Sequence, residues 1–341
     1  MMRAPHIGLL EAGARGTIAD VAGVTVGHCT LAQGAVQTGV TVVRPHGGDV
    51  YRSKVPAAAC VINGFGKSIG LVQVEELGVL ETPIALTNTF GVGTVANAQI
   101  RAAIAANPRI GREDPSVNPL VFECNDGYLN DMQGLAVDEA HYASALDACR
   151  EDFGRGAVGA GRGMSCFELK GGIGSASRIA RIGGHVHTTG ALVLANFGRL
   201  AQLTIAGDAV GRTLHAARDA CQKPEQGSII MLLATDAPLD ARQLRRLAAR
   251  AAAGLARTGS VYGHGSGDIA LAFTTAYTVA HDADFIALPP LVSDARLDPL
   301  FQAAADSVEQ AILDALFNAE TVAGRDGHRR LSLNDALKQR P

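Results

Sequence analysis

Tryptophan is absent from this 341-residue chain, aromatic residues make up only 4% and charged residues only 18%. Without Trp the core must be built from Ala, Val, Ile and Leu. With 47% hydrophobic residues, the composition excludes a disordered chain. No apolar run approaches about 20 residues, so no helical membrane span is expected. Blocks of like charge are missing and the net charge is −3. The cluster Arg242, Arg245, Arg246 and Arg250 is interleaved with Leu and Ala, which fits a solvated helix face and argues against nucleic-acid binding. The six cysteines, Cys29, Cys60, Cys124, Cys149, Cys166 and Cys221, include no C-x-x-C pair. That excludes the usual zinc spacings and reads as free thiols of a cytoplasmic protein. No basic-then-apolar start marks a secretory leader. A P-loop and a dinucleotide fingerprint are both lacking. The run Gly171-Gly172-Ile173-Gly174-Ser175-Ala176-Ser177-Arg178 therefore reads as a structural turn.

Glycine is plentiful, at 40 residues, and implies many tight turns. Apolar runs predict strands over 24–29, 39–43, 55–62, 189–195 and 269–275. Helical spacing appears over 95–106, 138–153, 239–256 and 294–317, with Asn107-Pro108 stopping the first. Strands, helices and strands again follow without a regular βαβ repeat. This order argues for an α+β layered architecture rather than a doubly wound sheet. Neither repeats nor a flexible linker divide the chain, so a single domain over 1–341 is expected. The tail from Arg325 is polar and reads as peripheral.

The chain is organised around residues 223–235, Lys-Pro-Glu-Gln-Gly-Ser-Ile-Ile-Met-Leu-Leu-Ala-Thr. A polar loop runs into Gly227-Ser228, and an unbroken apolar run follows. Locally, Ser228 can be a turn cap, a strand start or a nucleophile. A serine nucleophile needs a base and a group that steadies the oxyanion. None of the ten histidines stands at a spacing that picks out a triad. The other solution is an N-terminal nucleophile: cutting Gly227–Ser228 gives Ser228 a free amine with a pKa of about 7.7–8.0, a base beside its own hydroxyl. The hydroxyl can attack the Gly227 carbonyl, where glycine leaves the path clear.

The chain resembles the DmpA-type self-processing aminopeptidases, which include the β-aminopeptidases. The likeness extends over nearly the whole chain. It is carried by Gly16-Thr17-Ile18-x-Asp20-Val21-x-Gly23-Val24-Thr25-Val26-Gly27-His28, Thr87-Asn88-Thr89 with Gly91-Val92-Gly93, and Asn125-Asp126-Gly127-Tyr128-Leu129-Asn130-Asp131. It continues through Ala195-Asn196-Phe197-Gly198, Gly227-Ser228-Ile229-Ile230, and Arg257-Thr258-Gly259-Ser260 with Gly265-Ser266-Gly267-Asp268. The resemblance implies an α/β/β/α-like sandwich, shared with ornithine acetyltransferases, self-cleaved into an α chain 1–227 and a β chain 228–341. It implies Ser228 as the nucleophile, Ser266 and Asp268 as the pair that orients it and its amine, and Asn196 as the oxyanion donor. Taken without the resemblance, Ser266-Gly267 reads as a turn, Asp268 as a strand-start cap and Asn196 as a turn former. Short peptides or aminoacyl amides and esters are the implied substrates, with no metal or organic cofactor and a homo-oligomer of αβ units. Some members carry an aromatic hydroxyl two residues after the position of Glu123; here that residue is Asn125, and a tyrosine follows at Tyr128. This leaves L-, D- or β-amino-acid preference open. Glu123, Asn125, Asp126, Tyr128 and Asp131 are the candidate substrate-binding residues, with Glu123, Asp126 and Asp131 as acidic partners for a substrate ammonium. Two rival readings are an acyltransferase of the ornithine acetyltransferase kind and an uncut ligand-binding protein. Serine rather than threonine at 228, with Asn196 and Ser266-x-Asp268 present, argues against the acyltransferase.

Overall fold

Two sheets stacked face to face form the middle of the molecule, and helices cover both outer faces. The computed structural model describes residues 4–216 and 226–339. Cys221 and residues 223–225 of the central stretch lie outside them. The first sheet contains β1 (Thr25–Gln33), β2 (Val36–Arg44), β4 (Ile84–Asn88) and β5 (Leu120–Cys124), in the order β1-β2-β4-β5. The second sheet is built on β3 (Ser53–Gly64), β9 (Gly265–Thr274), β8 (Gln226–Thr235), β7 (His185–Asn196) and β6 (Gly172–Ile182), hydrogen-bonded in that order. The short strands Val79–Leu80 and Val279–Ala280 both pair with β3.

The central strands explain this layering. Along β8, Ile230, Leu232 and Ala234 join Phe122 and Ile84 in the core between the sheets. Ile229, Met231 and Leu233 join the core beneath the helices α3 (Ala241–Ala248), α4 (Ala251–Arg257) and α5 (Asp298–Asn318). A strand buried on both faces has no polar alternation, so its sequence is one apolar run. On the other side, α1 (Val92–Ala106) and α2 (Glu139–Asp147) place Val95, Ala96, Tyr142 and Ala145 against Val40, Val42 and Val121 of the first sheet. The result is the α/β/β/α sandwich. No helix among the described residues is long and apolar enough to cross a membrane.

Three readings are corrected. Residues 172–178, taken as a turn, form the first part of β6. Their small side chains let α5 approach: a Cβ at Gly174 would stand 1.9 Å from the Ala311 carbonyl oxygen. The helix expected over 239–256 is two helices, α3 and α4, broken between Ala248 and Ala251. The tail is not peripheral. Two short strands, β10 (Val322–Ala323) and β11 (Arg329–Arg330), form a hairpin that packs on residues 127–129. Arg325 donates from its backbone N–H to the Leu129 carbonyl (2.8 Å) and from Nε to the Gly127 carbonyl (2.7 Å).

Candidate active site

Three neighbouring strands bring the predicted residues side by side at one end of the second sheet. Ser228 on β8 pairs with Asn196 on antiparallel β7 and with Gly267 on parallel β9. Ser266 and Asp268 flank Gly267. All four polar side chains are buried. Strand alternation puts Ser228 and Asn196 on the face toward the first sheet, together with Ile230 and Leu194. Ser266 and Asp268 fall on the other face, where the Ser266 hydroxyl donates to Asp268 Oδ1 over 2.6 Å. The Ser228 backbone nitrogen lies in the plane between them.

Glycine is required on both sides of the serine. A Cβ at Gly227 would lie 2.5 Å from the Asn196 carbonyl oxygen and 2.8 Å from Phe197 Cα; at Gly267 it would lie 2.6 Å from the Phe65 carbonyl oxygen. Neither position tolerates a side chain without backbone movement.

Asn196 is held from both sides of its carboxamide. Oδ1 accepts from the Ser165 backbone N–H (2.8 Å), and Nδ2 donates to the Asn125 carbonyl (2.9 Å). These partners, one donor and one acceptor, fix which end of the amide is which. One of its two amide hydrogens is committed to Asn125.

β5 ends beneath the serine. The Cys124 thiol reaches the Ser228 side chain and the Leu194 carbonyl (3.6 Å). Burial, then the neighbouring Glu123 charge, pushes this thiol well above its ordinary pKa, so it stays protonated and inert. Glu123 is buried. Its Oε1 accepts from the Lys67 backbone N–H (2.9 Å) and its Oε2 from the Thr89 hydroxyl. The loop through Phe65 and Gly66 runs between Glu123 and Gly267: a Cβ at Gly66 would stand 3.7 Å from Glu123 Oε1. Phe65 and Phe90 project from this rim, 55% and 53% exposed.

The other candidates divide. Asn125 touches the site through its carbonyl, while its side chain is exposed and caps Gly127 N–H at 2.9 Å. Asp126 is turned into the protein, where Asn130 Nδ2 donates to it at 3.0 Å; burial raises its pKa to about 7. Asp131 is exposed, and its backbone N–H goes to the Ala35 carbonyl. Tyr128 stands on the outer wall, stacked on His328 with ring centroids 4.6 Å apart and carrying the Arg330 guanidinium 3.7 Å from its ring centroid. Sequence reasoning missed Ser165, Cys124 and Thr89. The first acts through a backbone N–H, which any residue supplies, so no sequence signal marks it. Thr89 stood in the Thr87-Asn88-Thr89 motif without a role. Nearby, Lys170 is buried, gives its ammonium to the carbonyls of Gly161, Met164 and Gly171, and is pulled down to about pKa 7 by burial. It braces the turn before β6.

Known proteins resemble this chain over nearly its whole length. The model of "Peptidase family S58" matches residues 16–330. The beta-peptidyl aminopeptidase BapA of Sphingosinicella microcystinivorans is 37% identical over 341 aligned residues, covering 93% of this chain and 85% of the relative. The crystal structure of the PH0078 protein from Pyrococcus horikoshii OT3 superposes with a TM-score of 0.93 at 49% identity, covering 97% of this chain and 95% of that one. The L-aminopeptidase D-Ala-esterase/amidase of Ochrobactrum anthropi, described as a prototype serine aminopeptidase and a new variant of the Ntn hydrolase fold, superposes with a TM-score of 0.89 at 36% identity, covering 98% and 96%.

Proposed function

The chain belongs to peptidase family S58 and is a serine aminopeptidase of the Ntn type, and from that premise we propose that Ser228 is its nucleophile, freed by cleavage of its own Gly227–Ser228 bond. The observation that carries this reading is the register Asn196–Ser228–Gly267, with the Ser266–Asp268 pair bonded on either side of Gly267.

In the uncut chain the Ser228 Oγ attacks the Gly227 carbonyl carbon, and the C–N bond breaks as the nitrogen takes a proton. Water then hydrolyses the ester, leaving Gly227 as a carboxylate and Ser228 as an amine. The products are an α chain 1–227 and a β chain 228–341. In the cut enzyme the amine takes the Ser228 hydroxyl proton as Oγ attacks the substrate carbonyl. The Asp268 carboxylate, reached through the Ser266 hydroxyl, favours the ammonium so formed. The second Asn196 N–H meets the oxyanion. The leaving amine collects the proton, and water releases the acid from the acyl-enzyme.

Glu123 is the acidic partner for the substrate ammonium: it is buried, fixed by two donors and next to the Phe65–Gly66 loop. Asp126 and Asp131 are less suited, one turned inward and one in open solvent. Phe65 and Phe90 line the approach, and Tyr128 forms its outer wall. Substrates are short peptides or aminoacyl amides and esters. The named activities of the relatives make β- and L-aminoacyl amides the first to assay. The protein works as a homo-oligomer of αβ units in the cytoplasm, where the free thiols Cys29, Cys60, Cys124 and Cys149 stay reduced.

Intact mass spectrometry of wild type and Ser228→Ala tests this reading. It expects two fragments meeting at Gly227–Ser228 in the first and one full-length mass in the second. A full-length, active wild type overturns it.

A further inference from the structure

We infer that the C-terminal hairpin β10–β11 positions the oxyanion donor, and that Arg330 is the residue through which it does so. The inference rests on the reading of Asn196 as that donor.

The Asn196 carboxamide is aimed by two backbone groups on different segments, Ser165 N–H and Asn125 C=O. Neither segment belongs to a central strand, so each needs its own anchor. The hairpin holds both. On the Asn125 side, Arg325 takes the carbonyls of Gly127 and Leu129, and His328 Nδ1 contacts the Tyr128 carbonyl at 2.7 Å. The approach is close: a Cβ at Gly324 would stand 2.0 Å from the Leu129 carbonyl oxygen. On the Ser165 side, Arg330 Nε donates to Ser165 Oγ (3.1 Å) and its Nη1 to the Glu168 carbonyl (3.3 Å).

Arg330 alone among these residues spans both segments. Its guanidinium lies 3.7 Å from the Tyr128 ring centroid while its edge bonds Ser165. A planar fork that stacks on an aromatic face and donates from its edge is chemistry arginine supplies and lysine does not. It clamps the two jaws that grip Asn196, and so sets where the free amide N–H points. Small misplacement of a stabilising donor is costly, so the clamp acts on kcat, leaving substrate affinity alone.

The test is a double-mutant cycle on purified protein, with kcat and KM measured on an aminoacyl p-nitroanilide and referred to the processed fraction found by intact mass. Where a variant is not processed, the self-cleavage rate replaces kcat in the same cycle. Arg330→Gln is expected to lower kcat about 10-fold with KM within about 2-fold. Ser165→Ala, which removes only the hydroxyl that Arg330 holds, is expected to give part of that loss in a folded protein. In an Asn196→Ala background, Arg330→Gln is expected to cost nothing further, because the donor it aims is gone. Arg330→Lys should not rescue. An Arg330 effect of equal size in both backgrounds, or one confined to KM, overturns the positioning role while leaving Asn196 in place. An unchanged kcat in Asn196→Ala alone overturns the oxyanion reading, and the inference with it.

Discussion

The strands β7, β8 and β9 carry a row of buried polar residues at each end, and the two rows are wired differently. At one end stand Asn196, Ser228 and, beside Gly267, Ser266 and Asp268. At the other stand Thr189, Thr235 and Thr274, also in register across the same three strands. Every hydroxyl proton in the threonine row is spent. Thr235 donates to the Thr188 carbonyl (2.9 Å), Thr274 to the Ala237 carbonyl (2.7 Å) and Thr189 to Thr235 (3.4 Å). Thr235 and Thr274 also accept from the backbone N–H groups of Ala237 and Ala276. In the serine row the bonds run between side chains and to loops, and they stop short of using every donor Asn196 owns. Equal burial and equal register therefore give a rivet at one end and, on the function proposed above, a reaction centre at the other. What separates them is where the protons go.

The comparison is broken or sharpened by changing one row at a time. Ser228→Ala should abolish both self-cleavage and turnover, by about 10⁴-fold or more, with a melting temperature that no longer depends on protein concentration; intact mass, a rate assay and thermal denaturation at several concentrations check all three. Asn196→Ala should cost about 10²–10³ in kcat with little change in KM. In the other row Thr235→Val should do the reverse. It strands the Ala237 N–H and the Thr188 carbonyl, so about 2 kcal/mol of stability is lost while kcat of the folded fraction stays within about 2-fold, as denaturant titration beside kinetics would show. A Thr235→Val enzyme with full stability and damaged kcat would erase the distinction.

The smallest effect is acid sensitivity far from either row. His28 is held neutral by burial, which lowers its pKa to about 4, partly opposed by its bond to the Gly154 carbonyl. Between pH 6.5 and 4 the unfolded chain binds a proton that the folded one refuses, so stability falls as pH falls through that window. Asp126, raised to about 7, and Asp314, raised to about 6 by burial, act in the opposite sense. The difference between wild type and His28→Gln isolates the histidine, and it should shrink steadily as pH falls from 7 to 4, as denaturant titration at each pH would show.

Much of this was legible in the chain. The unbroken run after Ser228 means a strand covered on both faces, and that places Ser228 where a strand leaves the core. The small-residue run at 172–178 misled, because glycine and serine look like a turn until a helix is seen to need the room they leave. The break between α3 and α4 follows from packing of α4 against α5, where a Cβ at Gly254 would stand 2.4 Å from the Ala305 carbonyl oxygen; local periodicity carries no trace of it. The support of Asn196 was invisible for a different reason. Its partners are a backbone N–H at Ser165 and a backbone carbonyl at Asn125, and backbone groups have no spelling.

Strand order also bears on how the molecule comes apart. β8 and β9 lie between β3 on one side and β7 on the other, so a break before Ser228 leaves the C-terminal piece seated inside a sheet whose two flanks belong to the N-terminal piece. The halves then share one set of hydrogen-bond ladders and cannot drift apart while folded. Once denatured, however, they are two molecules. Unfolding changes its molecularity: the melting temperature should climb with protein concentration, and recovery after denaturant should follow second-order kinetics in the cut protein and first-order kinetics in Ser228→Ala.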